Sequence, residues 1–295
     1  MTSASRLAKV RARLDLPTVR RASGLLDGHH RSIFTGHGQD FDDMVEYHPG
    51  DDVGDIDWKA SARTGHPVIR RFVHESNLAM VLAVDIGRSM AATAPSGERK
   101  SEIALFAADV VAYLARARGD LVGLVAGDSR RITQVPARGG TGHMEMLLRL
   151  LERELTRDAP VSDLSRVLDR ILTSATRRTL VVLITDEARP ALSDEDALRR
   201  LRTRHDVMVI SVADAVPTTP GLGAVADVEG GLVLPPFLQR DRRLHAAATT
   251  AVANRKKRVR DMLRRRGVEH VVAASSDDVV DALIDLFRRQ RRVRS

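Results

Sequence analysis

Cysteine is absent from the 295 residues, which excludes disulfide scaffolds, thiolate metal sites and cysteine nucleophiles together. Aromatic residues make up only 3% of the chain, so stacking platforms for single-stranded nucleic acid are scarce. No segment approaches the roughly 20 apolar residues that cross a bilayer. The longest apolar run, Leu78 to Val84, is strand-sized. From Met1 to Arg21 basic and apolar residues alternate, with no central apolar block and no small-residue cleavage site. That stretch does not read as a secretory signal, and a soluble cytoplasmic protein is expected. Catalytic signatures are missing too: there is no Gly-x-x-x-x-Gly-Lys-Ser/Thr loop, no Gly-x-Gly-x-x-Gly opening a helix, no Gly-x-Ser-x-Gly elbow and no His-Glu-x-x-His. Nucleotide hydrolysis and serine-hydrolase chemistry have no visible machinery.

What is present supports a packed core: 43% hydrophobic and 29% charged residues belong to a globular chain rather than a disordered one. Lys+Arg minus Asp+Glu is 47 − 39, or +8, an excess that favours acidic partners without selecting a fold. Up to about Asn77 the chain is rich in Gly, Asp, His and turn signals, with a short extended candidate at Val68–Val73. Residues 1–77 therefore read as a small β/loop module. From Leu78 the character changes. Apolar, β-branched strand candidates fall at Leu78–Val84, Leu121–Ala126, Arg131–Val135, Leu180–Thr185, Val207–Val212 and His270–Ala273. Between them lie three- and four-residue apolar periods, as in Ile103, Phe106, Ala107, Val110, Val111 and Leu114. Continuous apolar strands alternating with helices predict an α/β fold with a doubly wound, mostly parallel sheet over residues 78–290. The short spacing across Gly127-Asp128-Ser129-Arg130 predicts an antiparallel hairpin at one edge. Residues 291–295 form a basic tail, expected to fray.

Sheets of this kind place ligand sites beyond the carboxyl ends of their strands. Asp85 follows the first strand, with Ser89 four residues on, and Asp186 follows the fourth. Thr141 lies in a glycine-rich loop between them in the chain. Two carboxylates and two hydroxyls are the oxygen ligands that a hard divalent cation prefers. A plainer reading stands beside this one: a strand-end Asp followed by Ser is often a helix cap, and Thr141 could cap the helix after it.

The order strand, Asp-x-Ser-x-Ser, helix, hairpin, Thr loop, strand, Asp resembles the von Willebrand factor A domain and its metal-ion-dependent adhesion site. Gly87 stands where that pattern has its first serine. Upstream, Gly36-x-Gly38, Asp40-Phe41-Asp42, Tyr47-His48-Pro49-Gly50-Asp51-Asp52 and Ile56-Asp57-Trp58-Lys59-Ala60-Ser61-Ala62-Arg63 resemble the domain of unknown function 58 family, in which such a module precedes a von Willebrand A-like domain. Val45, Gly54 and Asp40 depart from the usual pattern of that signature. The resemblance implies a cation, Mg2+ by preference, held by Asp85, Ser89, Thr141 and Asp186, with water filling in at Gly87. It also implies a non-enzymatic adaptor that docks a partner carboxylate and works beside a MoxR-type AAA+ ATPase on a client protein.

Other features carry plainer expectations. Asp42, Asp43, Asp51, Asp52, Asp55 and Asp57 lack EF-hand spacing and are expected to cap turns and pair with arginines. Trp58 is expected to be a buried anchor, and His29-His30 a solvated pair. The basic runs at 255–258, 264–266 and 288–294 read as solvated helix faces or sites for an acidic protein. Nucleic acid is disfavoured for want of any docking motif. The alternatives are a metal-dependent hydrolase using Asp85 and Asp186, which lacks a histidine or lysine base in the three loops, and binding of anionic surfaces through the arginines.

Overall fold

The computed structural model describes residues 40–47, 56–73, 79–216 and 241–294, with short pieces between 225 and 235. The Gly36 and Gly38 signature residues, the His29-His30 pair and Asp51, Asp52 and Asp55 lie outside the described residues. The chain forms two compact units, residues 27–77 and the chain from Leu78 onward.

In the smaller unit, strands β1 (Asp40–Glu46) and β2 (Val68–Val73) form an antiparallel ladder. Between them lies the short helix α1 (Trp58–Thr64), which Asp57 starts: its Oδ1 accepts the amides of Lys59 and Ala60, each at 3.0 Å. One carboxylate of the acidic group is thus a helix cap, satisfying two amides that the first turn leaves orphaned. Trp58 is not the buried anchor expected: it is 68% exposed. It sits at the first position of a helix of seven residues with none buried, too short to press a face into a core.

The larger unit is built on a six-stranded sheet in the order β10-β7-β6-β3-β4-β5. Its strands are β3 (Ala79–Asp85), β4 (Leu121–Gly127), β5 (Ile132–Arg138), β6 (Leu180–Asp186), β7 (Asp206–Val212) and β10 (Glu269–Ala273). All neighbours run parallel except β4 and β5, so the doubly wound sheet with one reversed edge is as expected from sequence. Asp128 closes the hairpin, its Oδ1 accepting the amides of Arg130 and Arg131. Pro136 lies in β5, the outermost strand on that side. A small ladder pairs β8 (Val225–Ala226) with β9 (Val233–Leu234).

Among the described residues six helices cover the sheet: α2 (Lys100–Ala117), α3 (Thr141–Glu154), α4 (Leu164–Ser174), α5 (Glu195–Arg204), α6 (Arg242–Arg265) and α7 (Asp278–Arg294). The strands' alternation sorts them. Met80, Leu82 and Val84 of β3 pack in one cluster with α2, α3 and α7, while Ala83 belongs to a second cluster with α4, α5 and α6. Leu180, Val182 and Ile184 against Val181 and Leu183 repeat the split in β6. Both faces are buried, which is why these strands are apolar throughout. α7 continues to Arg294, into the basic tail. Among the described residues no helix is long and apolar enough to cross a membrane.

Candidate functional site

β3 and β6 are parallel neighbours with Val84 opposite Ile184, so Asp85 stands level with Thr185 and Asp186 one residue further along the carboxyl edge, near enough for its charge to act on the Asp85 carboxyl. Asp85 is completely buried. Its Oδ1 accepts the Gly87 amide at 2.9 Å and its Oδ2 the Thr185 hydroxyl at 3.1 Å. Asp186, 4% exposed, accepts the Ala188 amide at 2.8 Å. Burial, then the charge of Asp186, pushes the Asp85 carboxyl up to about 6; the Gly87 amide, Arg189 and the Ser162 hydroxyl pull the other way without cancelling the rise.

Ser89 lies in a short 3₁₀ turn, Arg88–Ala91, and is also buried. Its hydroxyl meets that of Ser162 at 2.8 Å. Ser162 was not singled out in the sequence, yet it belongs to this group. It lies at the end of the loop between α3 and α4, which is tied down on both sides: the Arg88 amide donates to Pro160 O at 2.7 Å, Arg88 Nε to Ala159 O at 3.0 Å, and the Ser129 amide to Val161 O at 3.0 Å. Gly87 makes this approach possible. A Cβ placed there would stand 2.3 Å from Ser162 Oγ, 2.4 Å from its Cα and 2.6 Å from its N. The space that a side chain at 87 would need is filled by Ser162.

Thr141 is not part of the cluster. β5 runs antiparallel to β4, so it carries the chain back to the amino ends of the parallel strands, with Arg138 opposite Val122. Thr141 follows three residues later, exposed, at the start of α3; two residues on, His143 Nε2 bonds Val122 O at 2.8 Å. Asp85 pairs with Gly127, at the other end of β4, about 20 Å away at the rise of a strand. Nor does Thr141 cap its helix, since the cap residue, Gly140, has no side-chain bond to the helix. The structure thus brings together Asp85, Ser89 and Asp186, adds Ser162, and leaves out Thr141.

Around this group the charges are compensated. Glu187 pairs with Lys256 at 2.6 Å and accepts the Asp214 amide at 3.2 Å. Asp214, beyond the end of β7, is paired with the buried Lys100. Among the described residues no three acidic or histidine side chains gather as a metal-binding group. The donor set that does gather is two carboxylates and two hydroxyls, all hard oxygens. One of the carboxyls is held above its ordinary range by burial and a like charge, a strain that a divalent cation relieves. Asp85, Asp186, Ser89 and Ser162 therefore fit such a cation in chemistry.

The chain is similar to uncharacterized proteins of Mycobacterium tuberculosis and Mycobacterium bovis, with 31% identity over 254 residues, covering 83% of this chain and 80% of theirs. Among solved structures it is similar to an aerotolerance-related membrane protein of Bacteroides fragilis, at 15% identity and a TM-score of 0.43, covering 72% of this chain and all of that one. It is also similar to a von Willebrand factor type A protein of Catenulispora acidiphila, at 12% identity and a TM-score of 0.44, covering 76% of this chain and 44% of that one. The protein family described as protein of unknown function DUF58 matches residues 43–258, most of the chain, and the chain belongs to that family.

Proposed function

We propose that this protein is a non-enzymatic interaction module whose carboxyl-edge cluster docks a carboxylate of a partner protein through a magnesium-class cation. Asp85, Ser89, Ser162 and Asp186 would hold the cation. When bound, it supplies the positive charge to which an Asp or Glu of the partner attaches. The observation that carries this reading is the convergence on the buried Asp85 of the Asp186 charge and the Ser162 hydroxyl, which is itself bonded to Ser89. The partner put forward is a MoxR-type AAA+ ATPase, with this chain presenting a client for remodelling. That assignment comes from the family resemblance alone.

Titration calorimetry with Mg2+ and Mn2+ on the wild type and on Asp186→Ala tests the reading. Saturable heats are expected from the wild type and none from a variant that remains folded; equal weak heats from both would remove the cation site. A metal-dependent hydrolase is the second reading, and the raised carboxyl of Asp85 favours it, since a base poised near neutrality is useful. Against it, Asp85 is fully buried with both oxygens engaged, and a base must reach its substrate's proton. Turnover of ester or phosphoester substrates that is lost in Asp85→Asn would reverse that preference.

A further inference from the structure

Beside the cluster lies a groove that the docking of a carboxylate on a cation does not use. The chain leaving Asp186 runs along α6, and between them is a cavity of about 370 Å3. Leu192 supplies its exposed apolar rim over the buried Pro190, Val259 and Met262, and Arg255 and Arg258 supply its charge. On α6, positions 255, 258, 259 and 262 follow the i, i+3, i+4, i+7 pattern of one helix face. Leu192 is 67% exposed at the groove's rim.

Both walls are fixed. The Lys256–Glu187 pair at 2.6 Å ties α6 to the end of β6, and Arg266 Nη2 donates to Glu195 Oε1 at 2.8 Å at the far end of the helix. The opposite wall is pinned through the buried Asp194, which accepts the Ser165 hydroxyl and the Ala191 amide, each at 2.8 Å. A guest would therefore meet a preformed site, with little ordering cost on this side. Arg255 and Arg258 have no carboxylate partner among the described residues, and no acidic residue lines the groove. Glu187, Asp194 and Asp261, which lies three residues beyond Arg258 on α6, are already engaged.

We propose that this groove takes a segment of a partner protein in which a Leu, Ile or Met side chain is flanked by acidic residues. The apolar side chain packs on Leu192, above the buried Val259 and Met262, while the carboxylates meet Arg255 and Arg258. The apolar floor disfavours a nucleic-acid backbone, which needs cationic contacts along its length. A second copy of this chain is disfavoured by its own excess of positive charge. The inference rests on reading this edge as an interaction surface but not on the cation.

The test probes a positional-scanning array of short peptides with the full chain in EDTA. Selection of Leu, Ile or Met beside Asp or Glu is expected. Fluorescence polarisation of the best peptide should then show a loss of about tenfold or more in Arg255→Glu/Arg258→Glu and in Leu192→Ser, with Arg138→Glu, exposed at the last position of the outer strand β5, unchanged. No such selection, or selection that survives both groove variants, overturns the proposal. If the peptide is kept in the groove variants, the groove is wrong, and the proposed function is judged separately by the magnesium titration. A silent magnesium titration beside intact peptide selection removes the cation and leaves the groove standing. A labelled DNA duplex bound at physiological salt in preference to every peptide, and released by the arginine variant, would make the surface a phosphate site and overturn the proposal as well.

Discussion

At the residue scale the candidate site turns on Asp85 and Gly87. The Asp85 carboxyl titrates at about 6 in the folded chain against a reference of 3.8, so the folded state holds the proton more tightly than the unfolded state does. Its contribution favours folding fully below the unfolded pKa and is lost as pH rises from about 4 through 6, a swing of about 3 kcal/mol. Asp85→Asn abolishes that titration. In EDTA the variant should gain up to about 3 kcal/mol over the wild type at pH 8, relative to their difference at pH 4. Parallel urea-unfolding curves for the two proteins across that range would refute the account. At Gly87 the constraint is steric and not conformational, because its φ of −68° is open to any residue. Gly87→Ala or Gly87→Ser should cost about 1–3 kcal/mol by overpacking, rather than restore a cation ligand. Ser162→Gly should not rescue either, since the backbone N and Cα of residue 162 are themselves within 2.6 Å of the added Cβ. Full rescue in the double variant would show that only the Ser162 side chain is in the way.

At the element scale, the strands were legible because burial on both faces demands uninterrupted apolar, β-branched runs, as in Leu180–Asp186. The helices were legible from their periodicity, as in Met144, Leu147, Leu148 and Leu151 of α3. Asp85 and Asp186 could be placed because each directly ends such a strand. Thr141 and Ser162 could not, because hydroxyl loops carry no mark of which end of the sheet they reach. The direction of the elements before them decides it. β5 returns the chain to the amino ends, α3 brings it forward again, and the loop that arrives at the carboxyl edge is the one holding Ser162. Counting these passes would have found it. Trp58 escaped for another reason: a large aromatic implies burial only when its element has a buried face, and α1 has none. That helix depends on its cap, so Asp57→Ala should destabilise the smaller unit by about 1 kcal/mol. The measurement is the shift in its urea midpoint, and an unchanged midpoint would mean that the two amides find another acceptor.

At the scale of the whole molecule, the sheet has two outer strands, and an outer strand invites another chain to extend it. On the β5 side the invitation is withdrawn: Pro136 has no amide hydrogen to offer, and the ladder with β4 is irregular between Val122 and Leu124. The consequence reaches past folding to solubility. Pro136→Val would supply the missing donor to a strand already rich in β-forming residues, leaving it open to stacking with copies of itself. Light scattering on warming should then begin at lower protein concentration than for the wild type, and an unchanged onset would show that something other than this imino acid keeps the molecules from polymerising.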